Sequence, residues 1–300
     1  MSQVRLLEVG PRDGLQNEKK PLSVDDKFEF IKGLKQAGLE RIEASSFVRP
    51  DKIPQLADSS ELMKKLKSHY GSLTNFPCLV PNLVGLENAT KVGVEEIAIF
   101  SATSDTFNQR NINATVDESL ERLDRVADLA NKNKLKIRGY ISTVFGCPYE
   151  GKTSIKKLMQ VCKRFLSWNV EEISLGDTTG VAHPAQVREI LKVLKAEMDL
   201  KKIYLHFHDT RGLALTNIYA SLEKDMMNFD CSAGGIGGCP YALGASGNVA
   251  TEELVYLFES LGLKTGVDRE KVIDVSEKML QKLNCKSPSK YHQAHLALKK

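Results

Sequence analysis

Residues 202–209 read KIYLHFHD, an apolar run that ends in two histidines separated by a single phenylalanine. Successive side chains of a β-strand point to opposite faces, so a strand here would place His206 and His208 on the same face. Two neutral imidazoles side by side suit a divalent cation, and a pair of buried, hydrogen-bonded histidines is the alternative. Metal binding is favoured if the pair lies at the carboxyl end of a strand in an α/β barrel.

Seven further short runs have the composition of strands, and a stretch of helical character follows each of the eight. Regular alternation of strand and helix predicts a parallel sheet, because parallel neighbours need helical crossovers. The predicted strands are Val4–Val9, Glu40–Ala44, Leu73–Val80, Glu96–Phe100, Lys136–Thr143, Glu171–Leu175, Lys202–Phe207 and Met226–Cys231.

Capping residues mark the ends of several predicted helices. Thr115 followed by Glu118 has the spacing of a capping box. Ser23 is placed to cap a helix that Gly38 ends. Pro184 is placed to open another helix, at a position where the missing N–H costs nothing. These signals support the helical half of each strand–helix unit.

Two arrangements of a parallel sheet are compatible with this alternation: a closed barrel and an open doubly wound sheet. Eight nearly evenly spaced units within about 265 residues favour the (β/α)₈ TIM barrel. No linker interrupts the units, so we predict one catalytic domain over residues 1–300. Residues 266–300 are expected to add a C-terminal helix and then a polar tail that begins near Ser287.

Composition narrows the classes of function. The formal net charge is only +4, and no dense block of Lys and Arg points to nucleic acid. A membrane-spanning helix needs about 18 consecutive apolar residues, and no stretch of the sequence approaches that length. The six cysteines are scattered and form no CxxC pair, which favours a reduced protein. The N-terminus enters a strand pattern almost at once, so we expect no targeting peptide and a cytoplasmic location.

Polar residues that follow other strands could complete a metal site with the two histidines. Asp13 follows the first predicted strand, and Asn248 follows the eighth. Two nitrogen ligands with carboxylate and amide oxygens fit Mg²⁺ or Mn²⁺ better than structural Zn²⁺. Asp13 precedes a glycine, however, and could equally be a turn residue.

Three charged residues at strand ends are candidates for proton and charge chemistry. Arg12 could stabilise a developing enolate or carboxylate, or it could form a surface salt bridge. Glu43 and Asp177 could transfer protons or orient the neighbouring side chains. Helix capping or simple ion pairing is about as reasonable for either carboxylate taken alone.

Residues 234–248 contain six glycines among fifteen residues and carry Cys239. Such a run lets the backbone approach a ligand closely, but it lacks the Lys-Ser/Thr of a nucleotide-binding P-loop. We interpret it as a loop over the site that carries a reactive thiol. A structural loop with an inert cysteine is the alternative.

Taken together, these segments resemble the 3-hydroxy-3-methylglutaryl-CoA lyases, metal-dependent (β/α)₈ enzymes related to isopropylmalate and homocitrate synthases. The similarity covers essentially the whole chain, and the cysteine-bearing loop is typical of the lyase branch. The matching segments are 9–18 (VGPRDGLQNE), 42–43 (IE), 46–48 (SFV), 111–113 (NIN), 138–140 (RGY), 146–151 (GCPYEG), 172–178 (EISLGDT), 206–210 (HFHDT), 237–241 (GGCPY) and 244–248 (GASGN).

The resemblance implies cleavage of 3-hydroxy-3-methylglutaryl-CoA to acetyl-CoA and acetoacetate, as in leucine degradation and ketone-body formation. It implies an acyl-CoA substrate, a homodimer, and a role for each matching site residue. Metal binding is implied for Asp13, His206, His208 and Asn248. Glu252 is implied to contact these ligands without binding the metal itself. Catalysis is implied for Arg12, Asp13, Glu43, Asp177, His206 and Cys239, and substrate contact for Arg12 and Gln16.

The chain also departs from the family pattern, at Phe145, Arg211 and residues 232–236 (SAGGI). None of these positions is a proposed catalytic residue. They leave a longer 3-hydroxyacyl-CoA open as the substrate. A synthase that condenses an acyl-CoA with a 2-oxo acid is a second alternative, although the chain after Gly266 is short for the regulatory domain such synthases carry. A catalytically silent binding protein is the third, but it would not be expected to keep the whole ligand set.

Overall fold

A computed structural model describes residues 3–238 and 247–299 of the chain. The strands are β1 (Arg5–Glu8), β2 (Arg41–Ile42), β3 (Ser45–Ser46), β4 (Cys78–Leu79), β5 (Glu96–Ala102), β6 (Lys136–Ser142), β7 (Glu172–Asp177), β8 (Ile203–Phe207) and β9 (Asn228–Cys231). All strand pairs in this part of the chain are parallel and belong to one sheet, ordered β2-β1-β9-β8-β7-β6-β5-β4-β3.

The two ends of this sheet are two parts of one strand, which closes the barrel. Only two residues separate β2 from β3, and both hydrogen-bond to neighbouring strands. Glu43 N donates to Glu8 O at 2.8 Å on one side, and Ala44 N donates to Pro77 O at 3.0 Å on the other. The segment therefore joins β1 to β4, and the sheet is an eight-stranded barrel. The predicted (β/α)₈ fold is confirmed over the open doubly wound alternative.

Helices follow the strands on the outside of the barrel. Two helices follow β5, and two more follow the last strand–helix unit. The helices are α1 (Val24–Gln36), α2 (Ser59–Tyr70), α3 (Leu83–Lys91), α4 (Asp105–Ile112), α5 (Val116–Lys132), α6 (Ile155–Ser167), α7 (Pro184–Glu197), α8 (Ala214–Leu222), α9 (Thr251–Ser260), α10 (Arg269–Leu283) and α11 (Lys290–Leu298). No described helix is both long and apolar enough to cross a bilayer.

The predicted helix caps are confirmed. Ser23 and Thr115 each form a complete capping box at the start of α1 and α5, and Pro184 is the first residue of α7. Gly38 lies just beyond α1 with φ +97°, where an added Cβ would lie 2.3 Å from Gly266 O. Glycine is therefore required there for both its conformation and its size.

The third barrel strand is much shorter than predicted. The sequence predicts Leu73–Val80, whereas β4 contains only Cys78–Leu79. Pro77 has no N–H to donate to a neighbouring strand, and Phe76 N instead donates to Leu73 O in a turn. Part of this run still contributes to the sheet, because Asn75 O and Pro77 O accept from Ile42 N and Ala44 N at 3.0 Å each, but only Cys78 and Leu79 form a regular strand.

The predicted polar tail is wrong for residues 290–298, which form α11. Ser289 caps this helix by accepting from His292 N, and the Glu253 carboxylate accepts from Lys290 N at 2.6 Å. His292 is only 1% exposed. The sequence shows little apolar periodicity here because the helix is held mainly by polar contacts.

The lower barrel interior is filled by charged side chains. Arg41 pairs with Glu96 and Glu172, and Arg138 pairs with Glu172 at 2.8 Å. Arg138 also pairs with Asp230 at 2.5 Å, and both of these side chains are fully buried. Interiors of such barrels are usually dominated by branched apolar residues. Here a network of alternating charges supports the carboxyl end of the barrel from below.

Candidate metal centre and active site

The loop after β1 begins with one wide turn of π-helix over Gly10–Gly14. Val9 O accepts from Arg12 N at 3.1 Å, from Asp13 N at 2.8 Å and from Gly14 N at 3.2 Å. Turns of this kind are uncommon and concentrate at functional sites. This one places two oppositely charged side chains at the mouth of the barrel, on consecutive residues.

Arg12 is buried and held by two carboxylates. Its Nε donates to Glu43 Oε2 and its Nη1 to Asp13 Oδ1, each at 2.7 Å. The guanidinium carbon also lies 5.1 Å from the ring centroid of Tyr140, whose hydroxyl donates to Glu43 Oε2 at 2.9 Å. Burial disfavours the charge on Arg12, but Glu43 and Asp13 outweigh it and raise its pKa. The guanidinium is therefore a fixed cation in a site shielded from water.

The predicted histidine pair is confirmed as neighbouring side chains at the end of β8. The ring centroids of His206 and His208 are 5.2 Å apart. Together with Asp13 they form a group of three possible ligands whose donor atoms all lie within 4.8 Å of one another. The first strand–loop unit and the seventh thus meet at one end of the barrel.

This group fits a divalent cation. The buried His208 Nδ1 and Asn248 Oδ1 have no hydrogen-bond partner among residues 3–238 and 247–299. Buried polar atoms are rarely left unsatisfied, and both of these belong to side chains able to ligate a metal. Two imidazoles, a carboxylate and an amide oxygen form a mixed nitrogen and oxygen donor set.

Asn248 joins this cluster from the loop after β9. Its Nδ2 donates to Asp13 Oδ2 at 2.9 Å and to Ile236 O at 3.3 Å. Its backbone forms an isolated bridge with His208. The amide group is therefore oriented by its nitrogen, which leaves the oxygen available.

Burial and neighbouring charges set the protonation of the possible ligands. Burial alone would raise the pKa of Asp13, but Arg12, His206 and His208 lower it to about 2. Burial and the neighbouring His206 lower the pKa of His208 to about 4. Burial also lowers the pKa of His206, yet Asp230 and Asp13 outweigh it and raise the value above the ordinary one. At neutral pH, Asp13 and His208 therefore have free lone pairs.

Asp230 is a central residue that the sequence interpretation missed. It lies on β9, with Oδ2 3.3 Å from His206 Nδ1 and accepting from Ser174 Oγ at 2.7 Å. Its Oδ1 accepts from Arg138 Nη2 at 2.5 Å. The signal for it was the alternation of polar residues in the apolar strand, where Asn228 and Asp230 share one face.

Glu8 was also missed, although its carboxylate joins three segments around the site. Oε1 accepts from Gly10 N at 2.8 Å and from Ala233 N at 3.0 Å, and Oε2 accepts from Thr251 Oγ1 at 2.6 Å. Burial raises the pKa of Glu8 to about 7. This residue holds the loop after β1 against the start of the glycine-rich run and the start of α9.

Asp177 lies at the end of β7, as predicted, and binds the loop that follows. Its two oxygens accept from Val181 N at 2.9 Å and Ala182 N at 3.1 Å. Burial raises the pKa of Asp177 to about 6, although these amides, Arg211 and His206 oppose the rise. The carboxylate is therefore both a loop anchor and a group whose pKa is close to neutrality.

Three predicted residues remain, namely Gln16, Glu252 and Cys239. Gln16 is half-buried on the loop after β1. Glu252 is fully buried, and its described contacts are with Gly234 N and His292 rather than with a possible ligand. Cys239 lies outside the described residues.

Comparison with known proteins assigns the family. The HMGL-like family model matches residues 3–279. The mitochondrial hydroxymethylglutaryl-CoA lyase of Macaca fascicularis is 45% identical over 292 residues, covering 97% of this chain and 89% of the relative. A 3-hydroxy-3-isohexenylglutaryl-CoA/hydroxymethylglutaryl-CoA lyase of Pseudomonas aeruginosa is 43% identical, covering 98% and 97%.

A solved structure agrees with this assignment. The HMG-CoA lyase of Bacillus subtilis superposes with a TM-score of 0.93 at 43% identity, covering 98% of both chains. The similarity thus extends over the whole barrel and both C-terminal helices rather than over the site alone. The chain belongs to the HMGL-like family.

Proposed function

We propose that this protein is a carbon–carbon lyase that cleaves 3-hydroxy-3-methylglutaryl-CoA to acetyl-CoA and acetoacetate. The observation that carries the proposal is the meeting of Arg12 with Asp13, His206 and His208 at the carboxyl end of one barrel. A fixed buried cation beside a cation-binding group is what removal of a hydroxyl proton and release of an enolate require. Relatives at 43–45% identity carry the names of lyases for this substrate.

Asp13, His206, His208 and Asn248 would hold the divalent cation, which we propose is Mg²⁺ or Mn²⁺. When bound, such a cation acidifies the substrate's tertiary hydroxyl. The proposal of a hard cation rests on the two oxygen donors and on the absence of a thiolate among the three described ligand candidates. Asn248 Nδ2 would keep the amide oxygen turned toward the ion by staying bonded to Asp13 Oδ2.

Arg12 would stabilise the thioester enolate. Cleavage breaks the bond between the carbinol carbon and the α-carbon of the thioester. The electrons of this bond pass into the thioester enolate as acetoacetate departs. The guanidinium is charged at every working pH and is held in place by Glu43 and Asp13, so little reorganisation is needed. Glu43 fixes Arg12 through Oε2, which leaves its buried Oε1 unpartnered in the described chain.

Proton transfer needs one group to accept the hydroxyl proton and another to supply a proton to the enolate carbon. Asp177 is our candidate acceptor, because a pKa of about 6 leaves it ionised at neutral pH yet basic enough to take a proton. We propose Cys239 as a participant from the glycine-rich loop and Gln16 as a substrate contact. Glu252 would act through the root of that loop.

The acyl group of the substrate has a second candidate. The Pseudomonas aeruginosa relative carries a name that includes a 3-isohexenyl substrate as well as the 3-methyl one. A longer 3-hydroxyacyl-CoA is therefore a second substrate worth testing. Condensation of an acyl-CoA with a 2-oxo acid has no such support among the relatives described above.

The proposal extends to the setting of the enzyme. We place the reaction in leucine degradation and ketone-body formation, in the cytoplasm, and propose that the protein is a homodimer organised as one catalytic domain over residues 1–300. The family resemblance supports the reaction and the dimer. Light scattering on the purified protein measures the oligomeric state directly.

One assay tests the function. Purified protein is incubated with 3-hydroxy-3-methylglutaryl-CoA and Mg²⁺ or Mn²⁺, with and without EDTA, and acetoacetate and acetyl-CoA are quantified. We expect equal amounts of the two products, loss of activity with the chelator and recovery with added metal. The same assay with a 3-isohexenyl substrate ranks the two acyl groups. Turnover of only the longer substrate would overturn the specificity, and no turnover of either would overturn the proposed reaction.

A further inference from the structure

The end of the chain contacts the root of the glycine-rich run. Ser287 Oγ donates to Gly234 O at 2.8 Å and accepts from Ser289 N at 3.1 Å. A Cβ on Gly235 would lie 3.1 Å from Pro288 Cγ. Residues 287–292, here called the C-terminal clasp, therefore lie directly against Gly234 and Gly235.

Gly234 is held on both sides of its backbone. Its carbonyl accepts from the clasp, and its N–H donates to Glu252 Oε2 at 3.0 Å. The residue has φ +73°, a left-handed conformation that glycine adopts without steric cost. The direction in which the chain leaves β9 is thus determined at this residue.

His292 in turn lies beside the Glu252 carboxylate. Its Nδ1 lies 3.5 Å from Glu252 Oε1, and its Nε2 lies 2.9 Å from Glu277 Oε2. The imidazole is almost fully buried between α9 and α10, where Ser276 Oγ is its other polar neighbour at 3.4 Å. Burial lowers its pKa, but the two carboxylates outweigh burial and raise it. The ring lies between two carboxylates and connects α9 to α10 through its two nitrogens.

The root of the run is also connected to the candidate metal centre. Ser232 Oγ donates to Ile236 O at 2.8 Å, and Asn248 Nδ2 donates to the same carbonyl at 3.3 Å. Asn248 Nδ2 is the atom that bonds Asp13 Oδ2. One residue, Gly235, separates the clasped Gly234 from this shared carbonyl, so the position of the carbonyl depends on how Gly234 is held.

We propose that His292 is a positioning residue, which orients Glu252 onto the Gly234 amide. The held Gly234 in turn sets the position of Ile236 O, the carbonyl that aligns Asn248 for metal binding. The C-terminal clasp then helps to hold the metal site through its contacts with Gly234 and Gly235. The inference rests on the proposed metal site, but it does not require that the substrate be 3-hydroxy-3-methylglutaryl-CoA.

The test uses the full-length protein and two measurements other than turnover. Hydrogen exchange of a peptide that covers residues 231–238 reports on the Gly234 amide, and calorimetry with Mn²⁺ reports on the metal site. In His292→Gln we expect exchange in this peptide to be about tenfold faster, since a hydrogen bond to a charged group is loosened. We expect Mn²⁺ affinity to fall about two- to thirtyfold, the range of coupling through packed networks.

His295→Gln is the matched control. His295 lies on the same helix and also pairs with a glutamate of α10, with Nε2 3.2 Å from Glu270 Oε2, but it does not contact Glu252. Its substitution should leave both measurements at wild-type values. Glu277→Gln, which removes the charge behind His292, should reproduce a smaller version of both effects and serves as the test if His292→Gln folds poorly.

Two outcomes would overturn the inference. One is an unchanged exchange rate and Mn²⁺ affinity in His292→Gln and Glu277→Gln. The other is faster exchange spread evenly over α9, α10 and α11 with normal Mn²⁺ affinity, which would assign His292 to stability alone. If the lyase assay fails while Mn²⁺ still binds, both measurements remain valid, so failure of the proposed function is distinguishable from failure of this inference.

Discussion

Asn248 Nδ2 donates to Asp13 Oδ2 at 2.9 Å, which joins the loop after the last barrel strand to the loop after the first. The bond spans 235 positions of sequence and closes the ring of possible metal ligands. It uses the amide nitrogen, and the oxygen of the same group has no hydrogen-bond partner in the part of the chain that the structure describes. One hydrogen bond thus sets both the geometry of the carboxylate and the direction of the amide ligand.

Replacing Asn248 with alanine should weaken metal binding. The variant loses one oxygen donor and frees Asp13 to rotate, so we expect Mn²⁺ affinity to fall about tenfold or more. Isothermal calorimetry measures this directly. Asn88→Ala, at an exposed position on α3, is the control and should bind Mn²⁺ as the wild type does. An unchanged affinity in Asn248→Ala would remove this residue from the ligand set.

Removing a primary ligand should have a larger effect. We expect Asp13→Ala and His206→Ala each to lower Mn²⁺ affinity by at least about 100-fold, because even changes behind the ligands cost about 10- to 100-fold. Turnover should fall with it. Metal content after dialysis and the rate at saturating metal are the two measurements. Wild-type values for both would refute the site assignment.

Arg12 should separate catalysis from metal binding. Arg12→Gln removes the fixed cation, and we expect the turnover number to fall about 10²- to 10³-fold, as when a single donor to a developing oxyanion is lost. Mn²⁺ affinity should not fall, because a positive charge near the site is removed. Arg12→Lys should restore little, since an ammonium cannot bond Glu43 and Asp13 in the same fork. A normal turnover number in Arg12→Gln would contradict the enolate role.

Asp230 should affect metal affinity although it is not one of the proposed ligands. Its contact with His206 Nδ1 favours the tautomer that leaves Nε2 unprotonated. Asp230→Asn can present its amide N–H to that nitrogen instead, so we expect Mn²⁺ affinity to fall about 10- to 100-fold. Asp225→Asn, at an exposed turn, is the control. Equal affinities in the two variants would exclude an orienting role for Asp230.

The pH dependence of stability should reveal His292. Its pKa is raised in the folded state, so its stabilising contribution is fully present below the unfolded value of about 6.5. The contribution is lost as pH rises through the folded-state pKa, when the imidazole becomes neutral between Glu252 and Glu277. Urea unfolding of wild type and His292→Gln should therefore show the largest difference near pH 6 and a smaller one near pH 9. A difference that grows with pH would contradict this assignment.

Much of the fold and the core of the site could be predicted from the sequence. The eight strand–helix units, the capping boxes at Ser23 and Thr115, and the shared face of His206 and His208 all follow from local periodicity and capping chemistry. Four errors or omissions share a different origin. The shortened β4, the helical α11 and the roles of Asp230 and Glu8 depend on partners far along the chain, which local patterns do not contain.

The sequence by itself determined which side chains stand at strand ends, because the period of a strand and the placement of its loop are local properties. It thereby determined the type of site: two imidazoles, a carboxylate and an arginine at one end of a parallel barrel. Tertiary structure alone decided how they meet. Closure of the barrel brings Asp13 to Asn248, the buried charges bring Asp230 to His206, and the C-terminal clasp reaches Gly234. Those contacts set distances and pKa values, because burial and the field of neighbouring charges exist only once the chain is folded.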